Sequence, residues 1–175
     1  MSTPTLHAVT VLGHDRPGII AETTGQLAGL GLNLEDSTMT LLRGHFAMML
    51  ICSGDVAADA IESALAPLTT DGSLTVTVRE VPEESVPAAE GSAWVLTVHG
   101  GDRAGIVSSI VTEVAQRGGN ITDLSTRLSG SLYLLVAEFD LPAGADVDAL
   151  ETAIRTAATA LGVGATLRPA EADEL

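Results

Sequence analysis

The chain contains no lysine, and its eight basic residues are all arginines. Against them stand 23 acidic residues, so the net charge of the 175-residue chain is −15 at pH 7. Proteins that bind nucleic acid or an anionic membrane surface on their own need a cationic face to meet the phosphate groups. The composition therefore predicts neither direct nucleic-acid binding nor membrane-surface binding.

Aromatic residues and cysteine are also scarce. The four aromatic residues, Phe46, Trp94, Tyr133 and Phe139, are too few to stack the bases of a single-stranded nucleic acid. Cys52 is the only cysteine, which excludes an internal disulfide, and its apolar neighbours indicate an inert, buried thiol. The four histidines are scattered without metal-binding spacing, so we predict no metal site and no cofactor.

Long apolar runs are missing as well, although 46% of the residues are hydrophobic. No stretch approaches the roughly 20 apolar residues of a membrane span. The N-terminus has no basic region before its short apolar run and no cleavage site after it, so it does not read as a signal peptide. The sequence predicts a globular protein in the cytoplasm.

An internal repeat organises the chain. A shift of 87 residues places TVLGHDRPGI (10–19) on TVHGGDRAGI (97–106). Further identities, such as Asn33 with Asn120 and Asp36 with Asp123, fall on polar turn residues, where chance matches between apolar runs are not the cause. We predict two modules, 1–80 and 93–168, with a Pro- and Glu-rich linker at 81–92 and an acidic tail at 169–175.

Hydrophobic periodicity gives the same order of elements in each module. In the first, strands are predicted at 6–12, 32–42, 46–52 and 74–78, with helices at 17–30 and 56–68. In the second, strands are predicted at 93–99, 121–128, 132–141 and 164–167, with helices at 104–117 and 147–161. This βαββαβ order predicts an α+β fold: two tandem ferredoxin-like modules, each a four-stranded antiparallel sheet with both helices on one face.

The sheet face without helices needs a cover or stays exposed. The strand at 46–52 offers two alternating sets, Phe46/Met48/Leu50/Cys52 and Ala47/Met49/Ile51, and the sequence does not say which set faces the helices. Either set would leave an aliphatic patch that favours association. We therefore expect contacts between modules or between chains, and a homodimer.

The segment Gly13–Ile19 and its repeat join a strand to a helix, and three interpretations compete. The spacing Gly13-x4-Gly18 is similar to half of a phosphate loop, but Ile19 stands where lysine is needed. A structural interpretation makes Asp15 an N-cap, places Pro17 in the first helical turn and lets Gly18 pack the helix close to the strand.

The third interpretation is functional. Free N–H groups at a helix start suit a small carboxylate. Asn33 and Asp36, at the head of the next strand, would then offer oxygens to an ammonium group. Alternatives stay open for single residues: Asp15 and Asp102 as caps, Asn33 and Asn120 as turn formers, and Arg16 and Arg103 as surface charges.

The order strand, DRPGI, helix, G-x-N-x-x-D and hairpin resembles the ACT domain, a regulatory module that senses amino acids in metabolic proteins. The pattern matches twice and covers nearly the whole chain. DRPGI followed by LGLNLEDSTMTLLRGHFAMMLICSG, in a chain made of two copies, is most similar to the glycine cleavage system transcriptional repressor family.

The resemblance implies a ligand site for an amino acid at an interface between modules, against the first loop and the start of the second strand. In the first copy it implies His14, Asp15, Arg16, Pro17, Gly18, Ile19, Asn33 and Asp36. In the second it implies Gly101, Asp102, Arg103, Gly105, Ile106, Asn120 and Asp123. Because Ala104 replaces the proline and Gly101 replaces His14, we expect the second site to be weaker.

Two classes of function fit these observations. The first is a non-enzymatic regulator that binds glycine or a similar amino acid and signals by protein–protein contact in transcriptional control. Because the chain has no helix-turn-helix and no basic patch, it would act through a separate DNA-binding regulator. The alternative is an allosteric subunit of an amino-acid biosynthetic enzyme. No Ser-His-Asp or Cys-His set is suggested, so we predict no enzymatic activity.

Overall fold

The computed structural model describes residues 4–83 and 91–171. The chain divides into two compact units, Met1–Ser85 and Val86–Leu175. The predicted linker at 81–92 and the predicted acidic tail at 169–175 lie largely outside the described residues, so those limits stay predictions.

The first unit forms one antiparallel sheet with two helices. Its strand order is β2-β3-β1-β4, so β2 and β4 are the edges. The elements in chain order are β1 (Leu6–His14), α1 (Ile19–Gly29), β2 (Asn33–Leu42), β3 (His45–Ser53), α2 (Ala58–Leu65), a 3-10 turn (Ala66–Thr69) and β4 (Leu74–Val81).

The second unit repeats this topology, with the strand order β6-β7-β5-β8. Its elements are β5 (Ser92–Gly101), α3 (Ile106–Ala115), β6 (Asn120–Ser129), β7 (Leu132–Leu141), α4 (Val147–Leu161) and β8 (Val163–Pro169). The predicted α+β fold of two ferredoxin-like βαββαβ modules, each a four-stranded antiparallel sheet with helices on one face, is confirmed.

Three of the four helices are shorter than the periodicity predicts, whereas α4 spans Val147–Leu161 as predicted. The first helix begins at Ile19 instead of residue 17, and α3 spans Ile106–Ala115 instead of 104–117. The second helix, predicted over 56–68, spans Ala58–Leu65 and tightens into the 3-10 turn that contains Pro67. Proline has no backbone N–H to donate, so the last turn cannot continue the α-helical pattern.

Cross-strand register decides which face of β3 meets the helices. Cys52 lies opposite His7, Leu50 opposite Val9 and Met48 opposite Val11, and all six side chains are at most 3% exposed. The alternate set therefore covers the open face of the sheet, where Met49 is 47% exposed. Other large apolar side chains of this unit are also exposed, namely Leu12, Ile20, Met39, Leu41 and Leu42.

Candidate functional site

Two glycines shape the loop between β1 and α1. Gly18 has φ +92°, a left-handed conformation that side chains with a Cβ rarely adopt. A Cβ at Gly13 would overlap with the carbonyl oxygen of Ser73, because the loop lies directly against the start of β4. The backbone N–H of Asp15 donates to the carbonyl of Gly44 over 3.0 Å. The loop is therefore held by backbone contacts on two sides.

No side chain of the described residues caps the start of α1. The N-cap position belongs to Gly18, and no side chain accepts a hydrogen bond from the first-turn amides. The interpretation of Asp15 as the N-cap is therefore wrong, and the same holds for Asp102, because Gly105 takes the N-cap position of α3 with φ +90°. Gly18 is required for its backbone angle and not for close packing, since the nearest atom to a Cβ there would be a Glu22 oxygen at 3.6 Å.

Arg16 forms a two-pronged ion pair with Glu22 in the first turn of α1. Its two terminal nitrogens each lie 3.0 Å from a Glu22 carboxylate oxygen. These hydrogen bonds lower the pKa of Glu22 and raise the pKa of Arg16. Arg16 also contributes to lowering the pKa of Asp71, although the main cause there is hydrogen bonding from Ser73. The ion pair therefore holds the guanidinium of Arg16 in a fixed position beside the β1–α1 loop.

A pocket of about 440 Å³ opens beside this loop. Its lining combines the loop and first turn of α1 with two residues that come from the far end of β2 and from β3. The lining residues are Asp15, Arg16, Gly18, Ile19, Ile20, Ala21, Met39 and Phe46. Thus the pocket joins uncapped helix amides, Arg16, the carboxylate of Asp15 and an apolar wall. This arrangement suits a small ligand that carries both a carboxylate and an ammonium group.

Sequence reasoning missed Met39 and Phe46. Both lie where β2 and β3 pass the β1–α1 loop, since Phe46 pairs with Gly13 and also with Leu41. The topology of the sheet is the signal that could have identified these two residues. In a βαβ unit the two strands run parallel, so the end of β2, and not its start, lies beside the end of β1.

The same topology separates Asn33 and Asp36 from the loop. Asn33 pairs with Ser53 and Asp36 pairs with Ile51, whereas His45 of the same strand pairs with His14. Ile51 lies six positions after His45 on β3, which amounts to roughly 20 Å along the sheet. The expectation that Asn33 and Asp36 stand beside the loop of their own module is therefore wrong.

His14 is exposed at the end of β1 and is not among the residues that line the pocket. Pro17 precedes the helix in a turn and is exposed. The side chain of His14 forms none of the hydrogen bonds found among residues 4–83 and 91–171, and the backbone oxygen of Pro17 accepts one from Arg16 over 3.5 Å. Their assignment to a ligand site stays a prediction.

The loop of the second unit has the same left-handed glycine before its helix, but the charged residues around it differ. Gly101, Asp102 and Arg103 precede Gly105, and Ile106 begins α3 as a buried residue. Position 109 is a serine where the first unit has Glu22, and α3 has no acidic residue in its first turn. The guanidinium of Arg103 lies against Gly162 at the end of α4, where a Cβ would be 3.7 Å from Nη2.

Asn120 and Asp123 again lie at the far end of their sheet, because they pair with Asp140 and Glu138. On charge grounds the second loop is the more favourable of the two for an anionic group, because no carboxylate stands in the first turn of its helix. The expectation of a weaker second site therefore rests on Ala104 and Gly101 alone, and it stays a prediction.

A second feature of the first unit is a buried pair on the helix-facing side of the sheet. His7 and Cys52 are both 0% exposed, and the thiol of Cys52 lies 3.7 Å from the backbone oxygen of His7. Burial raises the pKa of the thiol, as expected for an inert cysteine. Neither ring nitrogen of His7 has a hydrogen-bond partner among the described residues.

Two further observations concern the described part of the chain. Within residues 4–83 and 91–171, no three His, Cys, Asp or Glu side chains are grouped so that they could hold a metal ion. None of the helices in those ranges is both long enough and apolar enough to cross a membrane.

Comparison with solved structures identifies the same two-unit fold elsewhere. An unknown protein from Galdieria sulphuraria has a TM-score of 0.82 at 26% identity, over 95% of this chain and 99% of that one. A candidate glycine cleavage system transcriptional repressor has a TM-score of 0.71 at 20% identity, over 97% and 99% of the two chains. The second likeness shows the shared fold.

Sequence comparison adds a family and a full-length relative. The glycine cleavage system transcriptional repressor of Escherichia coli K12 is 27% identical over 160 residues, which are 87% of this chain and 84% of that protein. A UPF0237 protein of Streptococcus pneumoniae is 43% identical over 51 residues, 29% of this chain. A family model described as the ACT domain matches residues 7–79 and again residues 93–167. The chain therefore belongs to the ACT domain family and carries the domain twice.

Proposed function

We propose that this protein is a non-enzymatic regulator that binds a small amino acid, with glycine as the first candidate, and passes the signal to a separate DNA-binding regulator in the cytoplasm. The observation that carries the proposal is the similarity to a glycine cleavage system transcriptional repressor over 87% of the chain. This similarity favours control of transcription over the alternative, an allosteric subunit of a biosynthetic enzyme. The charge of −15 supports action through another protein rather than on DNA.

The pocket beside α1 supports the ligand part of the proposal. The carboxylate of an amino acid would lie against the uncapped amides that follow Gly18, with Arg16 as a neighbouring cation. Glu22 limits the strength of this site, since its carboxylate already pairs with Arg16. A small, compact amino acid suits the pocket better than an acidic one, because a second carboxylate would add repulsion.

The ammonium group needs an acceptor, and the carboxylate of Asp15 lines the pocket. Asn33 and Asp36 lie at the opposite end of their own sheet. They therefore take no part in the proposed site. A homodimer remains part of the proposal, because Leu12, Leu41 and Leu42 are exposed at the loop end of this sheet and favour association.

A screen of the twenty amino acids by thermal shift tests the ligand. A true ligand at 100 times its Kd should stabilise the folded chain by about 2.7 kcal/mol. Calorimetry on two matched variants then locates the sites. Met39→Trp fills the pocket of the first unit, and Thr126→Trp makes the same change at the equivalent position of the second.

Each variant should lose one binding event if both loops bind, and circular dichroism checks that both fold. Loss only in Met39→Trp would assign binding to the first unit. No stabilisation by any of the twenty amino acids, or unchanged binding in both variants, would refute the ligand site.

A further inference from the structure

A cavity of about 670 Å³ lies on the open face of the first sheet, the face without helices. Its floor is apolar and is formed by Leu6 and Ala8 of β1 with Met49 and Ile51 of β3. Three of these side chains are half-buried, and Met49 is exposed. Pockets that hold small ligands or peptide side chains have volumes of about 300–1,000 Å³. The cavity is distinct from the β1–α1 pocket, which lies at the other end of the sheet on the helix side.

Three carboxylates border this floor and form the rim of the cavity: Glu35, Asp36 and Glu83. Adjacent residues of a strand ordinarily point to opposite faces. Here Glu35 and Asp36 both line the cavity, because the pairing of β2 with β3 shifts between Leu34 and Asp36. A β-bulge of this kind turns a side chain to the face opposite to the one that it would take in regular pairing. The bulge therefore adds a second negative charge to the rim.

The cation that the register places near this rim is Arg79, opposite Ala8 on β4. Arg79 takes part in none of the ion pairs found among the described residues. Among the residues that the structure describes, the rim thus carries three negative charges against one neighbouring positive charge. Its side chains are exposed, so each attraction to a cation is weak singly and screened by salt.

The second unit has the same bulge without this arrangement. Its β6 shifts register between Ile121 and Asp123, but Thr122 stands at the position of Glu35. Glu138 replaces Ile51 of the floor, so a charged residue stands where the first unit has an apolar one. Arg168, which pairs with Val95, is the equivalent of Arg79, which pairs with Ala8. The acidic rim over an apolar floor is therefore a property of the first unit and not of the repeated fold.

The charge of each possible occupant of the cavity decides whether the acidic rim attracts or repels it. Residues 84–90 of this chain contain two glutamates and no basic residue, and residues 172–175 contain two acidic residues. A second copy of the chain carries −15. All three would bring like charge toward the rim, which disfavours them. A segment with arginine or lysine would instead lay its aliphatic stem on the floor and place its charged head at the carboxylates.

We infer that this cavity is the docking site for a basic, apolar segment of the partner protein. The inference rests on the proposed function in one respect, namely that a partner receives the signal. DNA-binding regulators carry such basic surfaces, which suits the charge of the rim. It adds to the proposed function the surface at which that partner is held, away from the amino-acid pocket.

The test uses fluorescence anisotropy with the full chain and a labelled, capped probe peptide of sequence Leu-Arg-Ile-Arg-Leu. Two control peptides replace either the arginines by glutamates or the apolar residues by glycines. The double variant Glu35→Gln, Glu83→Gln removes two rim charges from residues outside the amino-acid site. The matched control Asp55→Asn, Glu62→Gln makes the same change of charge elsewhere in the first unit, where both residues are exposed.

The probe peptide should bind, and both control peptides should bind more weakly. The rim variant should weaken the probe about tenfold, and the control variant should leave its affinity within about twofold. No binding of the probe at about 1 mM peptide, or equal weakening by the two variants, would overturn the docking site. If the probe peptide binds but none of the twenty amino acids does, the docking site stands and the proposed ligand is refuted. If an amino acid binds but the probe peptide does not, the ligand stands and the docking site is refuted.

Discussion

Replacing His7 with leucine should stabilise the protein, because this polar side chain is sealed in an apolar core. Its exposed fraction is 0%, and both ring nitrogens lack a partner among the described residues. Its cross-strand neighbour, Cys52, is equally buried. The second unit fills the equivalent positions with Trp94 and Phe139, and the Trp94 indole donates to the Ser92 hydroxyl over 2.7 Å. The fold thus accommodates large apolar side chains at this site when their polar atoms are satisfied.

The magnitude follows from the two terms that the substitution changes. Burial of a neutral polar group without a hydrogen bond costs about 1–3 kcal/mol in proteins. Leucine removes that cost, while its different shape costs up to about 1.5 kcal/mol in imperfect packing. We expect a net gain of about 1 kcal/mol in the free energy of unfolding. For a domain of this size, that gain raises the melting temperature by about 4–8 °C.

Urea denaturation followed by far-UV circular dichroism measures this change. His45→Leu is the matched control, because His45 is exposed at the start of β3, and its effect should stay within about 0.5 kcal/mol. A loss of more than about 1 kcal/mol in His7→Leu would refute the reasoning. It would mean that the imidazole nitrogens have partners in the folded protein.

Two further predictions concern the start of α1. Gly18→Ala should cost about 1–2 kcal/mol, because φ at Gly18 is +92°, whereas Gly25→Ala in the same helix should gain about 0.5–1 kcal/mol. Equal effects in urea denaturation would contradict the left-handed loop. Because pairing with Arg16 lowers the pKa of Glu22, the pair stabilises fully above the ordinary value of 4.5 and is lost as pH falls through the lower folded-state pKa. The melting-temperature difference between this protein and Glu22→Gln should therefore vanish in acid, and a pH-independent difference would contradict it.

The repeat made the fold predictable from sequence. Glycines and polar residues recur at turn positions after 87 residues, and between them the periodicity changes from two to 3.6. Element order in a βαββαβ module leaves few topologies, because consecutive elements pack as neighbours and βαβ crossovers are right-handed. The ends of elements were less predictable. The helix after the DRPGI loop begins at Ile19, since Gly18 adopts a left-handed angle that no sequence pattern specifies.

The candidate site was predictable only in its local part. Residues 14–19 are contiguous, so the sequence places them in one loop without any knowledge of the fold. Asn33 and Asp36 were wrongly placed beside that loop, because sequence distance does not say at which end of a sheet a strand begins. Met39 and Phe46 join the pocket through strand pairing, a contact between segments far apart in the chain.

By itself, then, the sequence determined what depends on local order and composition. These properties are the duplicated module, the family, the acidic charge and the glycine-rich loop. Tertiary structure decided what depends on register and direction. Pairing of β3 with β1 turned Met48 and Leu50 toward the helices, and a bulge in β2 put Glu35 and Asp36 on one face. The physical reason is that side chains alternate along a strand, so a shift of one residue exchanges the buried face for the exposed one.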